Sequence, residues 1–153
     1  MTGHRIDVGS PDDLPELMAV MTAAFDPRFG EAWTASQCLA LMTMPGTRLI
    51  LARAETLLGF ALIRTVVDEC ELMMLGVDPA TQRRGVGLSL LNNVVSIATS
   101  EQASAVFLEV RSGNPATELY IRSGFEKVGL RLRYYRGNKG ETFDAETYRF
   151  MLR

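Results

Sequence analysis

Two places in this chain hold residues whose types and spacing can do chemistry. The first is the run Gln82-Arg83-Arg84-Gly85-Val86-Gly87, which follows an apolar stretch, Leu72 to Val77, ending in Asp78-Pro79, and opens a helix-patterned segment from Leu88 to Thr99. A strand that feeds a Gly-rich turn and then a helix N-terminus makes a binding site for phosphates. The first amides of a helix have no intrahelical partner and sit at its positive pole. Gly85 and Gly87 let those amides approach a ligand, and Arg83 and Arg84 add full charge beside them. The turn therefore suits a pyrophosphate, although two glycines in a turn, read alone, are also plain turn chemistry. The spacing G-x-x-x-x-G-K-[ST] is absent, as is a dinucleotide G-x-G-x-x-G with its later acidic residue. This points away from nucleoside triphosphatases and nicotinamide dehydrogenases.

The second place is Glu109, a carboxylate inside the apolar run Phe107-Leu108-Glu109-Val110. Burial there would raise its pKa toward working pH, where a general base is efficient. On the residues alone, a Glu109 that points outward or pairs with Arg111 is the alternative. The only histidine, His4, stands at the extreme N-terminus, which leaves carboxylates and tyrosines as proton handlers and disfavours Ser-His-Asp or Cys-His chemistry. Cys38 and Cys70 lack C-x-x-C spacing and lie in patterned apolar segments, so they read as buried reduced thiols rather than as a disulfide or a zinc site.

The elements that must position these residues follow from periodicity and punctuation. Ile6 and Val8 alternate with polar neighbours as a short strand, and Ser10-Pro11-Asp12-Asp13 is a helix start, followed at helical spacing by Leu14, Leu17, Met18, Met21 and Phe25. Thr34 with Gln37 forms a capping box for a second helix that Pro45-Gly46 stops. Residues 49–52, 57–67 and 71–77 are three β-leaning runs that read as an antiparallel meander. The helix after the Gly-rich turn leads into Ala105 to Val110, a strand apolar on both faces, which implies a parallel right-handed crossover. Asn114-Pro115 starts another helix containing Leu119 and Tyr120 and ended by Ser123-Gly124; two strands, Phe125 to Tyr135 and Thr142 to Leu152, close the chain around a turn at 137–140.

With 153 residues, 47% of them hydrophobic and 22% charged, the chain has the size and composition of one globular domain, expected to span 1–153. No stretch approaches the length of a membrane span, and the polar start at Met1 to Arg5 carries no apolar signal core, so a cytoplasmic location with no membrane partner is expected. A formal net charge of −2 gives no reason to expect stable nucleic-acid binding.

The order of elements and the residues together resemble the GCN5-related N-acetyltransferase (GNAT) family, and within it the bacterial ribosomal-protein-alanine N-acetyltransferases. The resemblance rests on Leu75-Gly76-Val77-Asp78-Pro79 with the Arg-Arg-Gly-Val-Gly loop, Leu108-Glu109-Val110-Arg111 with Asn114, Leu119-Tyr120 with Gly124-Phe125, Arg133-Tyr134-Tyr135, and Asp144-Ala145. It implies an α/β (α+β) fold with a mixed central sheet of about seven strands flanked by about four helices and splayed between the fourth and fifth strands. It further implies acetyl-CoA as co-substrate and no metal. The pyrophosphate would lie on the amides of Arg83, Arg84, Gly85, Val86, Gly87 and Leu88, the pantetheine arm along Leu75, Gly76 and Val77, with Asn114 beside it.

The same resemblance implies Glu109 as base and Tyr120 as acid. A phenol near pKa 10 can donate to a departing thiolate whose own pKa is about 8.5. Between Asn114 and Tyr120 this chain is one residue shorter than the subgroup pattern. A helix turns about 100° per residue, so the loop before it is expected to absorb the deletion. The implied acceptor is a protein N-terminal α-amine, classically the alanine of a small-subunit ribosomal protein. An α-amine near pKa 8 is easier to deprotonate than a lysine near 10.4. Trp33, Tyr134 and Tyr135 are candidates to line the acceptor channel, with Glu141 and Asp144 to attract a cation, and Arg131, Arg133, Arg136 and Lys139 to touch ribosomal RNA or an acidic partner. A small-molecule amine acceptor, or a non-catalytic acyl-CoA-binding role, are the alternatives that the residues leave open.

Overall fold

The computed structural model describes residues 3–81 and 83–153. Met1, Thr2 and Gln82, the residue that opens the Gly-rich run, lie outside them. In chain order the elements are β1 (Arg5–Val8), α1 (Leu14–Ala24), α2 (Ala35–Met42), β2 (Thr47–Arg53), β3 (Leu57–Val66), β4 (Glu69–Val77), α3 (Val86–Ser100), β5 (Ala105–Arg111), α4 (Thr117–Arg122), β6 (Glu126–Arg136) and β7 (Thr142–Met151). The strands form a seven-stranded sheet in the order β1-β2-β3-β4-β5-β7-β6.

Alternation along β2 explains why helices cover both faces. Ile50 and Ala52 point into a core shared with α3, whereas Leu49 and Leu51 point into a second core shared with α1 and α2. Leu90, Leu91 and Val94 of α3 and Leu17 of α1 are fully buried. Truncating one of these leucines to alanine removes about 2–5 kcal/mol, so each core holds its helix firmly. No helix among the described residues is long and apolar enough to cross a membrane.

Local chemistry sets the helix starts. Ser10 N–H donates to Asp13 Oδ2 at 2.8 Å, and Ser10 Oγ accepts from Asp12 N–H at 3.3 Å, ahead of α1. Thr34 and Gln37 exchange the two hydrogen bonds of a capping box at 2.8 and 3.1 Å ahead of α2. Helix α3 begins at Val86, two residues before the sequence pattern would start it, because Gly85 takes φ +80° and rolls the chain straight into the first turn.

What positions the site is the place where the sheet parts. Strands β4 and β5 pair in parallel only from Glu69–Ala105 to Leu72–Leu108. Beyond that point β4 continues against β3 as far as Val77, while β5 continues against β7 as far as Arg111. A bulge at Met73, where Leu62 faces Met74 and Ile63 faces Leu72, bends β4 away at the point of divergence. The backbone edge of β4 from Met73 to Val77 is thereby left without a strand on its β5 side.

Candidate active site

The parting opens a cleft of about 1230 Å³ lined from β4, β5, α4, the 24–33 segment and β6. Its volume exceeds the range of about 300–1,000 Å³ usual for small-ligand sites, which suits an elongated ligand with a second molecule meeting it.

One end of the cleft is made of backbone. Leu75, Gly76 and Val77 line it, as do Arg83, Gly85, Gly87 and Leu88. Arg83 and Gly85 both take left-handed φ, +68° and +80°, which folds the turn into a cradle ahead of α3. Ser89 N–H makes the first bond of the α3 ladder, to Gly85 O at 2.9 Å, so the amides of Val86, Gly87 and Leu88 precede it. Among the described residues nothing lies within 4 Å of where a Cβ on Gly85 would sit, and Arg83 and Arg84 are exposed beside that space. Val86 instead turns its side chain into the core. Gly76 is required by packing, since a Cβ there would meet Phe60 Cε1 at 2.7 Å. An anion held on amides with free charge nearby fits this end.

The middle of the cleft carries the two proton-handling candidates. Glu109 is half-buried at the point where β5 leaves β4. Its carboxylate does not pair with Arg111: Oε2 sits 2.8 Å from Arg131 Nε of β6 and accepts from Thr147 Oγ1 at 3.2 Å. Beside it on β4 stands Glu71, whose carboxyl is raised from its ordinary value by burial first and by the Glu109 charge second. Tyr120 is buried and lines the cleft from α4, edge-on to Phe125 with ring centroids 6.0 Å apart. Burial, and then the charge of Glu31, push its phenol well above 10.

Both ends of α4 fix where Tyr120 stands. At the C-terminal end Gly124 takes φ +97°; Phe125 N–H bonds Tyr120 O at 3.0 Å and Gly124 N–H bonds Ile121 O at 3.0 Å, so the glycine stop fixes the helical phase of Tyr120. At the N-terminal end Asn114 Oδ1 accepts from Ala116 N–H at 2.8 Å and delays the helix to Thr117. Asn114 lines the cleft, but both polar ends of its amide are engaged, because Nδ2 donates to Glu31 Oε2 at 2.8 Å.

The far end of the cleft is built by contacts distant in sequence. The 26–33 segment lies against the β6–β7 turn so closely that a Cβ on Gly30 would stand 1.9 Å from Arg136 O, and one on Gly137 1.9 Å from Arg28 O. Only glycine permits these backbones to meet. Phe29 sits edge-on to Phe143 at 5.2 Å, and the Arg111 guanidinium stacks 3.7 Å from the Phe29 ring centroid. Strand β6 is bulged here. Arg131 faces Ala145 and Tyr135 faces Phe143, so four steps on β6 answer two on β7. At the bulge Arg133 takes φ +52°, and its N–H is held by Asp144 Oδ1 at 2.9 Å.

The bulge brings Tyr134 and Tyr135 to the cleft, where Trp33 joins them as expected from the sequence. Glu141 and Asp144 do not line it: Asp144 holds the bulge, and the carboxylates lining the cleft are Asp26, Glu31, Glu71, Glu109 and Glu118. Arg131, expected to face an outside partner, reaches back to Glu109. Asp26, Glu31, Glu71 and Glu118 were not singled out in the sequence; Glu71 stands on the same strand face as Glu109 in the β4–β5 register. Among the described residues no group of three or more His, Cys, Asp or Glu side chains is placed to hold a metal ion.

Comparison with known proteins agrees with this geometry. The profile of the acetyltransferase (GNAT) family matches residues 14–125. The chain is 37% identical over 134 residues to the N-alpha-acetyltransferase RimI of Mycobacterium tuberculosis, covering 84% of this chain and 80% of that one. It is 36% identical over 78 residues to the [ribosomal protein bS18]-alanine N-acetyltransferase of Escherichia coli, a match spanning 50% of this chain and 53% of the relative. The crystal structure of the ribosomal-protein-S18-alanine N-acetyltransferase from Escherichia coli superposes with a TM-score of 0.86 at 25% identity, covering 98% of this chain and 94% of that one. The Arabidopsis thaliana NAA60 structure in complex with a bisubstrate analogue shares the fold, with a TM-score of 0.84 at 21% identity over 97% of this chain and 98% of that one.

Proposed function

This chain belongs to the acetyltransferase (GNAT) family, and from that premise we propose that it transfers an acetyl group from acetyl-CoA to a protein N-terminal α-amine; two of its relatives are named as an N-alpha-acetyltransferase and a [ribosomal protein bS18]-alanine N-acetyltransferase. The acceptor we propose is the N-terminal alanine of a small-subunit ribosomal protein. The observation that carries the reading is the parted β4–β5 pair: an amide cradle stands at one end of the cleft and a carboxylate and a buried phenol at its middle.

Acetyl-CoA supplies the activated acyl group. The amides of residues 83–88, with Arg83 and Arg84, hold its pyrophosphate, and the free edge of Leu75, Gly76 and Val77 takes the pantetheine arm as a strand would, with Asn114 beside it. An amide near Val77 stabilises the charge that develops on the carbonyl oxygen. The acceptor enters between Trp33, Tyr134 and Tyr135. Its ammonium takes the place of the Arg131 guanidinium on Glu109, a displacement favoured by the 62% exposure of the Arg131 side chain. Glu109 accepts the ammonium proton and the nitrogen attacks the acetyl carbon; the carbon–sulfur bond breaks as Tyr120 donates its proton to the departing thiolate, the amide nitrogen then gives its second proton back to the Tyr120 oxygen, and Glu109 releases its proton to solvent.

A phenol raised by burial and by Glu31 is protonated wherever an α-amine near pKa 8 becomes free, so the acid and the nucleophile coexist. The same rise makes donation to a thiolate near pKa 8.5 more uphill than for an ordinary phenol, and makes the resulting tyrosinate a strong base for the second nitrogen proton. The test is incubation of the protein with acetyl-CoA and an alanine-initiated ribosomal-protein peptide beside a panel of small amines. Mass spectrometry that places one acetyl group on the peptide α-amine supports the reading. Transfer to small amines only, with no peptide modified at high concentration, overturns it.

A further inference from the structure

Glu31 lies in the segment between α1 and α2, distant in sequence from everything it touches, and is only 9% exposed. Its two carboxylate oxygens have separate partners: Oε2 accepts from Asn114 Nδ2 at 2.8 Å, and Oε1 lies 3.2 Å from Arg111 Nε. A buried carboxylate is tolerated only when charge and hydrogen bonds compensate its lost hydration. Here the compensation spans a turn. Asn114 N–H bonds Arg111 O at 3.0 Å, so Arg111 and Asn114 are the two ends of the turn that opens the link from β5 into α4. Glu31 closes that link from outside. Asn114 in turn holds Ala116 N–H, the residue immediately before the helix that carries Tyr120.

Glu31 is itself anchored. Gly30 beside it is pressed against Arg136 O, and Phe29 lies between Arg111 and Phe143. The C-terminal end of α4 is fixed by Gly124 without any part for Glu31, which leaves the N-terminal end as the one that Glu31 controls. Helix α4 has only six residues, too few to hold its own geometry in isolation.

We infer that Glu31 is a positioning residue for acyl transfer: by bridging Arg111 and Asn114 it fixes the β5–α4 link, and through it the depth at which α4 presents Tyr120 to the cleft. The inference rests on the proposed role of Tyr120 as acid. It also joins the wall on the acceptor side to the helix of the acid, so that the two move as one body.

A double-mutant cycle on turnover separates positioning from general support of the fold, since residues acting through one another are non-additive. The kcat of E31A, E31Q, Y120F and the E31A/Y120F pair is measured with acetyl-CoA and the peptide acceptor, with a thermal melt of each. E31A is expected to lower kcat about tenfold or more, as misplacement of a reacting group by about 1 Å can cost about 100-fold. E31Q keeps an oxygen for Asn114 and is expected to recover part of that loss. In the Y120F background E31A is expected to change kcat by less than about twofold, because the residue it positions no longer acts.

Losses that multiply in the double variant, or an E31A variant with the turnover of the parent, overturn the inference. If E31A fails to fold, the E31Q/Y120F cycle is read by the same criterion. A Y120F variant that turns over like the parent is visible before the cycle is read, and overturns the assignment of Tyr120 and this inference with it.

Discussion

The two ends of the cleft are built by different means. The cradle end is backbone: a strand edge left free by the bulge at Met73, a turn with left-handed Arg83 and Gly85, and the first amides of α3. The acceptor end is side chains brought together from the 26–33 segment, β5, β6 and β7, with glycines at 30 and 137 where two backbones meet. A group common to all reactions of a family is held well by main chain, which side-chain substitution leaves in place. An acceptor that differs between relatives is read by side chains, which substitution changes readily. The comparison implies that substitutions at the cradle change acetyl-CoA binding alone, those at the far end change acceptor binding alone, and those at the middle change turnover without changing acetyl-CoA binding.

The largest departure from the parent is expected at the middle. Glu109→Gln should lower kcat about 10²- to 10⁴-fold, the range of general acid–base contributions, while acetyl-CoA affinity measured by calorimetry stays within twofold of about the parent value. At the cradle, Gly85→Ala places a Cβ on a residue with φ +80°. The left-handed conformation costs an alanine about 1–2 kcal/mol, which the free loop escapes by relaxing and which acetyl-CoA must restore on binding, so it should bind about tenfold more weakly with the acceptor KM unchanged.

The far end is broken through Asp144. Removing its bond to Arg133 N–H in Asp144→Ala should raise the acceptor KM about three- to tenfold, the worth of one hydrogen bond, and leave acetyl-CoA affinity alone. Arg133→Gly in the same chain should restore that KM, because glycine takes φ > 0 without the help of Asp144. Restoration by glycine is a result that general loss of stability does not produce.

The smallest effect is expected outside the cleft. Glu146 accepts from Tyr148 Oη at 2.8 Å and lies 3.5 Å from Lys127 Nζ. The Tyr148 bond first, and Lys127 with it, hold the Glu146 carboxyl below its ordinary value of 4.5, while burial first and the Glu146 bond second push the Tyr148 phenol up to about 12. A carboxyl lowered on folding adds stability above its unfolded pKa and loses it as pH falls through the folded one. Glu146→Gln should therefore lower stability at pH 7 by no more than about 1 kcal/mol, and thermal melts should show the gap to the parent closing below about pH 4.

The difference between the two ends also decided what the sequence could disclose. The strand segments, the crossover helix and the Gly-rich turn were legible because each is encoded locally, in β-leaning runs, the capping box at Thr34 and Gln37 and the glycines at 85 and 87; the insertion of β7 between β5 and β6 is a long-range pairing with no local signature. Glu109 was legible as a carboxylate out of place in an apolar strand. Its partner was not, because Arg131 reaches it only through the bulge in β6, and a four-against-two register leaves no periodic signature. Glu31 was invisible for a similar reason. Its partners are Arg111 and Asn114, and the close approach that seats it depends on glycines 30 and 137 meeting across the sheet edge. Asp144 was noticed and given the wrong task, since a carboxylate that caps a left-handed backbone residue looks, in sequence, like one that faces solvent.

The most direct test of the central claim uses two peptides of one sequence, the first with a free α-amine and its lysines blocked, the second with the α-amine blocked and its lysines free. The initial rate of acetyl transfer to each is measured with saturating acetyl-CoA at pH 7.5. Fast transfer to the first peptide, at least about 100-fold above the second and lost in Glu109→Gln, is the predicted result, since the α-amine pKa lies more than two units below that of lysine. Equal rates for the two peptides, or transfer to lysine alone, would contradict the account.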